Sequence, residues 1–163
     1  MKRICIIASL LFLVHTGISQ VSYYKGEWRI ANTTDLFVCI CKMQIEKDNT
    51  VKAEFVWIYK SIDSTDENMM EAYNGKKGKV GIEFVEGIYS PVTDDISLEA
   101  TSITDPDLII GLTKYSLKLS ADKQMIYGTT IGLEGGEPGL FCAVKINSSG
   151  NKEFITLRNR VKQ

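Results

Sequence analysis

Apolar and polar residues alternate with a period of two along most of the chain beyond residue 20, and turn residues interrupt this alternation at short intervals. In one such stretch Phe37, Cys39 and Cys41 share a face, and in the next stretch Phe55 and Trp57 do so. This pattern is typical of β-strands with one buried and one solvated face. It predicts eight strands, near residues 24–30, 37–45, 51–60, 79–89, 96–101, 115–119, 125–129 and 140–146.

The apolar face of each predicted strand is expected to point into a common core. Eight short antiparallel strands must also protect their edges, either by closing into a barrel or by forming a two-sheet sandwich. The short connections between successive strands favour an all-β, eight-stranded, antiparallel up-and-down barrel. The inner faces predicted for the fourth, seventh and eighth strands are Val80, Ile82 and Phe84; Met125, Tyr127 and Thr129; and Leu140, Cys142, Val144 and Ile146.

One short helix is predicted between the third and fourth strands. Residues 64–67 (STDE) have the spacing of a capping box, and Asn74-Gly75 suits a helix end. The segment after Ile146 contains one more short apolar patch and is expected to fray. No linker or repeat divides the chain, which indicates a single β-barrel domain over residues 20–163.

The first residues have the features of a secretory signal peptide. Lys2 and Arg3 precede an apolar run over residues 4–14, and small residues lead to Ser19. The apolar run is too short to span a membrane comfortably. We therefore expect cleavage after Ser19, removal of residues 1–19, and export to the periplasm or the extracellular space.

Cleavage there would leave 144 residues (163 − 19), enough for one domain with a substantial core. The net charge would be −3, from 17 basic (19 − 2) and 20 acidic residues without a basic block, which argues against nucleic acid as a partner. His15, the chain's single histidine, would be lost, and this excludes Ser-His-Asp catalysis and a histidine-based zinc site. These features predict a protein that is not an enzyme and that uses no cofactor and no metal.

Gly26-Glu27-Trp28 in the first predicted strand resembles the G-x-W motif that opens the calycin group, which includes lipocalins, fatty-acid-binding proteins and avidins. Residues 87–130 also resemble exported bacterial lipocalin-like or avidin-like domains of uncharacterised function. The resemblance implies structural roles for Gly26 and Trp28, with Trp28 closing one end of the barrel. It further implies that Lys145 or Arg158 packs on the Trp28 ring. The biotin-site residues of avidins and the later lipocalin motifs are not recognisable, so no particular ligand is implied.

Three cysteines follow the expected cleavage site, and each lies on a predicted inner face. Cys39 and Cys41 are poorly placed to bridge each other, because side chains two apart on one strand point in parallel and lie roughly 6.6 Å apart. A disulfide from either of them to Cys142 would have to cross the first strand, although an oxidising compartment favours disulfides. Buried thiols are the preferred interpretation. A Cys41–Cys142 disulfide and a thiolate metal site are the alternatives.

The large aromatic side chains on the predicted inner faces either fill the barrel or line a ligand cavity. The ligand site is expected at the barrel end opposite Trp28, because that ring would plug its own end. Tyrosine hydroxyls would bind the ligand and flexible methionines of the predicted helix would form a lid. The candidate ligand-binding residues are Tyr59, Tyr115 and Tyr127 in the strands, and Met69, Met70 and Tyr73 in the predicted helix.

Two functions fit these features. The first is an exported binding barrel for a small apolar or amphipathic molecule. The second is an envelope protein-interaction module, such as an inhibitor or an assembly factor, that acts through its loops and outer face. The outward Val56 and Ile58 on the third strand suggest an exposed apolar patch that would serve the second function.

Overall fold

The computed structural model describes residues 20–30, 36–61, 75–135, 138–147 and 149–162. Eight strands form a closed antiparallel barrel in which consecutive strands pair and the last strand pairs with the first, as predicted for an up-and-down barrel. The strands are β1 (Gln20–Ile30), β2 (Leu36–Ile45), β3 (Thr50–Ser61), β4 (Val80–Ser90), β5 (Asp95–Thr104), β6 (Thr113–Leu119), β7 (Met125–Gly132) and β8 (Gly139–Ile146). Helix α1 (Ser149–Arg158) and a 3₁₀ turn (Asn159–Lys162) follow.

Two predicted elements lie outside the described residues. They are the signal peptide at residues 1–19 and nearly all of the helix at residues 64–75, including Met69, Met70 and Tyr73. The segment after Ile146, which was expected to fray, instead forms α1.

The closure of the barrel brings β1 and β8 together in a register that runs from Tyr23 opposite Ile146 to Ile30 opposite Gly139. Gly26 lies in the middle of this pairing, on the inner face. A Cβ atom there would collide with the Cys142 carbonyl oxygen and with the Ala143 side chain. Glycine is therefore required at this position of the G-x-W motif by the close approach of the neighbouring strand.

The barrel interior is one apolar core, and the inner faces predicted for β1, β2, β3, β5 and β6 are confirmed. Most side chains on these faces are almost completely removed from solvent, as the 0% exposure of Cys41, Phe55 and Ile96 illustrates, while Trp28 and Ile45 near the strand ends are partly buried. Each such side chain contributes roughly 1.5–3 kcal/mol relative to an exposed one. Other members of the interior core are Tyr24, Phe37, Met43, Val51, Trp57, Tyr59, Leu98, Tyr115 and Leu117.

The inner face predicted for β4 is wrong. Val85 belongs to the interior core, and Gly81 and Glu83 lie on the same side of the strand at a spacing of two. Val80 and Ile82 are also buried, but they belong to a second apolar cluster on the outside of the barrel. Phe84 likewise packs against this outer cluster.

Helix α1 creates that outer cluster by covering β2, β3 and β4. Phe154 of the helix is 3% exposed and belongs to the same cluster as Ile40 and Val56. The helix is also held by polar contacts, because Arg158 pairs with Glu54 and Lys25 pairs with Glu153 at 2.6 Å.

The prediction of an exposed apolar patch at Val56 and Ile58 is therefore wrong. Val56 is 0% exposed and Ile58 is half-buried beneath the helix. Removing this surface from water is the physical reason why the tail folds.

The inner faces predicted for β7 and β8 are also wrong. Ile126 and Thr130 of β7 and Phe141 and Ala143 of β8 are buried, and the residues that alternate with this inner face, such as Tyr127 and Leu140, point outward. Both faces of β8 carry apolar side chains, so a period of two could not decide which face is inward. The outward residues leave an apolar surface that we call the outer stripe: Met125, Tyr127, Ile131, Leu140 and Val144, which are 38–58% exposed.

The inverted face of β8 decides the state of the cysteines. Cys39 and Cys41 are buried in the interior, whereas Cys142 is half-buried on the outer face, opposite Glu27 of β1. The barrel wall thus separates Cys142 from the other two, and each of these three described cysteines is free. The alternative of a Cys41–Cys142 disulfide is wrong. Burial raises the pKa of the Cys39 and Cys41 thiols, which disfavours the reactive thiolate.

The thiols should therefore differ in reactivity. We expect a thiol reagent to modify Cys142 in the native protein, and Cys39 and Cys41 only after denaturation. Mass spectrometry of the alkylated, non-reduced protein measures the number and position of the modified residues. Modification of Cys39 or Cys41 before Cys142 under native conditions would contradict the assigned faces. Fewer than three modified residues after denaturation would indicate a disulfide.

Candidate ligand-binding site

A cavity opens into the barrel at the end where β1, β3, β5 and β7 finish. Its volume is about 100 Å³. Trp28 lies in the wall, so we call it the Trp28 cavity. The lining residues come from five strands and from the segment between β5 and β6: Trp28, Phe37, Trp57, Glu83, Ile109, Ile110, Gly111, Thr113 and Tyr115.

The aromatic rings of the wall are fixed by contacts with one another. The Trp28 and Phe37 rings meet edge to face with their centroids 5.3 Å apart, and the Trp28 Nε1–H donates to Thr130 Oγ1 at 2.5 Å. Deeper in the barrel, Phe55 stacks on Trp57 at 5.5 Å and on Tyr115 at 5.1 Å. These rings form a rigid apolar surface on which a ligand can pack.

The polar centre of the cavity is the carboxylate of Glu83, which is 1% exposed. Trp57 Nε1–H donates to its Oε2 at 3.2 Å, and the Tyr115 hydroxyl donates to the same oxygen. The Thr113 backbone N–H donates to Oε1 at 3.0 Å. Strands β3, β4 and β6 therefore bring the three side chains together, and the first residue of β6 supplies the third donor.

Burial is the dominant influence on this carboxyl group. It raises the pKa of Glu83 to about 7, although the hydrogen bonds from Tyr115, Trp57 and Thr113 act in the opposite direction. Burial also raises the pKa of the Tyr115 hydroxyl, and the neighbouring Glu83 charge raises it further. An unpaired charge in an apolar interior is unfavourable, so this site favours either a protonated Glu83 or a ligand that neutralises it.

A second carboxylate lies near the cavity mouth. Asp105 Oδ2 accepts a hydrogen bond from the Ile110 backbone N–H at 2.7 Å, which holds the segment that carries the lining residues. A Cβ atom at Gly81 would lie 3.0 Å from Ile110 and 3.2 Å from Asp105 Cγ, so this segment rests on β4 close to Glu83. Asp105 Oδ1 is buried, and no described residue gives it a hydrogen bond.

The predicted ligand-binding tyrosines are not brought together. Tyr115 lines the Trp28 cavity, whereas Tyr59 is buried in the core against the Phe37 ring at a centroid distance of 5.2 Å. Tyr127 is 43% exposed on the outer face of β7, and its predicted inward position is wrong. Met69, Met70 and Tyr73 lie outside the described residues.

The candidate cavity does not lie at the barrel end opposite Trp28, where the ligand site was expected. Strand β1 begins at Gln20, so Trp28 lies near its far end, at the same end of the barrel as the cavity. The ring is half-buried in the cavity wall and does not close that end. The implied basic partners lie elsewhere, since Lys145 is opposite Tyr24 and Arg158 pairs with Glu54.

The opposite end of the barrel contains a larger depression of about 290 Å³, lined in part by Tyr89 and Lys123. Two of its polar side chains are already paired: Lys123 donates to the Tyr89 hydroxyl at 3.0 Å, and both contact the neighbouring Asp94. Lys123 is 44% exposed at its side chain, so water already solvates it. The Trp28 cavity is therefore the better candidate, because its polar groups are buried and converge on one point.

Sequence reasoning missed Glu83, which was assigned to an outward position, and Thr113. One pattern could have revealed Glu83. In β3 and β4 apolar residues occupy both faces, as in Val80-Gly81-Ile82-Glu83-Phe84-Val85, which indicates that a further element covers the outside. With the outer face assigned to Ile82 and Phe84, the alternation places Glu83 inside.

In the described part of the chain no group of three or more histidine, cysteine, aspartate or glutamate side chains is placed to hold a metal ion. None of the helices described there has the length and apolar character of a membrane span. Comparison with protein-family models, with curated proteins and with solved structures finds no match to this chain.

The raised pKa of Glu83 should make stability depend on pH. The folded-state pKa of about 7 exceeds the ordinary value of 4.5, so the contribution of Glu83 is complete below pH 4.5 and is lost as the pH rises to about 7. We expect the free energy of unfolding to fall by roughly 3 kcal/mol over this range. In Glu83→Gln this fall should disappear. Denaturant unfolding at several pH values measures it, with Glu86→Gln on the exposed face of the same strand as control. An equal fall in wild type and Glu83→Gln would refute the assignment.

Proposed function

We propose that the chain is an exported, non-enzymatic binding barrel of calycin type that holds a small amphipathic molecule in the Trp28 cavity. One observation carries this proposal: a buried carboxylate with oriented donors lies in the wall of an otherwise aromatic and aliphatic cavity. Such a combination of apolar surface and a few convergent polar groups is typical of ligand sites. The calycin assignment rests on the closed barrel and the G-x-W motif, and export rests on the pattern of residues 1–19.

The size of the cavity restricts the ligand. At roughly 10–15 Å³ for each water-sized group, a volume of about 100 Å³ holds a molecule of fewer than about ten non-hydrogen atoms. Its apolar part would pack on the rings of Trp28, Phe37 and Trp57, and its polar group would reach Glu83. This fits an amphipathic small molecule better than a fatty acid or another long-chain ligand.

The character of the lining supports a binding role over a catalytic one. The described lining residues include no histidine, cysteine or lysine that could act with Glu83 as a nucleophile or as a second proton carrier. Glu83 is also held in place by three donors, of which Trp57 belongs to β3 and Thr113 and Tyr115 belong to β6. A group fixed in this way is suited to recognition.

The alternative function is a protein-interaction module. It is favoured by the outer stripe and not by the patch predicted at Val56 and Ile58. The outer stripe leaves large apolar side chains exposed side by side on β7 and β8, and Leu140 is 58% exposed. If a protein partner binds there, Leu140→Glu should abolish its association in a pull-down assay, and Glu83→Gln should not. Association that survives Leu140→Glu would exclude this surface.

Both tryptophans of the chain, Trp28 and Trp57, line the Trp28 cavity, so intrinsic fluorescence reports directly on its occupancy. We expect butanol or butylamine to change the emission of the wild-type protein with saturation. Gly111→Phe should weaken this response at least tenfold, because Gly111 lines the cavity and a Cβ there meets nothing within 4 Å.

The control for this experiment is Leu112→Phe. Leu112 is the neighbouring residue, is 38% exposed and does not line the cavity, so its substitution should leave the response unchanged. No saturable fluorescence change with either compound, or equal effects of the two substitutions, would refute binding in the Trp28 cavity.

A further inference from the structure

We infer that the Trp28 cavity selects small organic ammonium ions, with Glu83 as the counter-charge and the surrounding rings as the apolar and cation–π surface. This inference rests on the proposed function, because it names the chemical class of the molecule that the cavity would hold.

The carboxylate of Glu83 has acceptor capacity left for a ligand. A carboxylate offers about four acceptor positions, and the donors from Trp57, Tyr115 and Thr113 occupy three of them. Two donors reach Oε2 and one reaches Oε1, so Oε1 keeps one position for a ligand. Since the donors already bonded to Glu83 are neutral, they leave its negative charge uncompensated.

The charges around the cavity also favour a cation. Asp105 near the mouth adds a second carboxylate whose buried Oδ1 has no hydrogen-bond partner among the described residues. The lining described above contains no lysine or arginine. Two basic side chains that contact the segment between β5 and β6 are engaged there, because Lys76 donates to the Leu108 carbonyl at 3.0 Å and Lys79 pairs with Asp107 at 3.0 Å. The cavity therefore has a carboxylate in its wall, a second one near its mouth and no cation among the lining residues that the structure describes.

The aromatic rings of the cavity wall favour an organic cation. Trp28, Phe37, Trp57 and Tyr115 line the same small space as Glu83. The electron-rich face of an aromatic ring attracts an organic cation, and indole gives the strongest attraction of this kind. An ammonium ion with a short alkyl chain satisfies both parts of the wall, since its charge pairs with Glu83 and its carbon atoms pack on the rings.

Other ligand classes fit less well. An anion would be repelled by Glu83 and Asp105. A metal ion such as Mg²⁺ or Ca²⁺ requires about six or more oxygen ligands, which the aromatic and aliphatic lining does not offer. A neutral alcohol could hydrogen-bond to Glu83 but would leave the buried charge uncompensated, so its affinity should be lower than that of the ammonium ion.

The test compares ligands of equal size that differ in charge. Tryptophan fluorescence of the wild-type protein would be titrated with butylammonium, butanol and butyrate. We expect butylammonium to bind at least tenfold more tightly than butanol, and butyrate more weakly than either. Glu83→Gln should abolish the preference for butylammonium while butanol still binds. Glu86→Gln, which removes an exposed carboxylate from the same strand, should keep the preference.

A second readout uses tetramethylammonium, which has no proton to exchange. Because Glu83 has a pKa of about 7, binding of this cation at neutral pH should release about half a proton from the protein. Calorimetry in two buffers of different ionisation enthalpy measures the release. The titratable groups that face Glu83 are Tyr115, Cys39 and the nearby Asp105, and the wild-type release should vanish in Glu83→Gln.

The outcomes separate the two proposals. Equal affinity for butylammonium and butanol, tighter binding of butyrate, or a preference unchanged in Glu83→Gln would overturn the ammonium inference while leaving a binding cavity. Absence of saturable binding by all the compounds would overturn both. If Glu83→Gln fails to fold, the comparison of butylammonium, butanol and butyrate with the wild-type protein still decides the inference.

Discussion

The pairing of β1 with β8 is the constraint on which the rest of the structure depends. It joins strands from opposite ends of the described chain and removes the two free edges that an eight-stranded sheet would otherwise expose. The contact is close enough to require glycine at position 26, where any side chain would collide with Cys142 and Ala143. Closure also fixes which side of every strand faces inward, and so it separates Cys142 from Cys39 and Cys41.

Helix α1 depends on the closed barrel and explains why β3 and β4 are apolar on both faces. The outer residues Val56 and Ile82 would be exposed without it, and Phe154 fills the space above them. The salt bridge between Arg158 and Glu54 fixes the helix at one position on this surface. The barrel thus has two apolar cores, one inside and one beneath the helix, while the outer stripe on β7 and β8 stays exposed.

The burial of Glu83 is the main departure from a purely apolar interior. Three hydrogen bonds compensate part of the cost of removing its carboxyl group from water, but burial still dominates its pKa. A barrel selected only for stability would have an aliphatic residue at this position. The proposed binding function therefore rests on the position of Glu83 in a ring-lined cavity, together with the nearby Asp105 oxygen that has no hydrogen-bond partner among the described residues.

The strands, their antiparallel order and the closed barrel were predictable from the sequence, because the period of two and the short turns are local properties of the chain. The inner face of β6 was likewise predictable, because its apolar residues alternate with Lys114, Ser116 and Lys118. The inward faces of β4, β7 and β8 were not predictable in this way, because apolar residues occur on both sides of β4 and β8. The register with the neighbouring strands determines which side of these strands faces inward. The tertiary structure also determines which residues form the candidate site. Along the chain, Glu83 is 26 positions from Trp57, 30 from Thr113 and 32 from Tyr115. Their polar atoms come into contact only in the folded barrel.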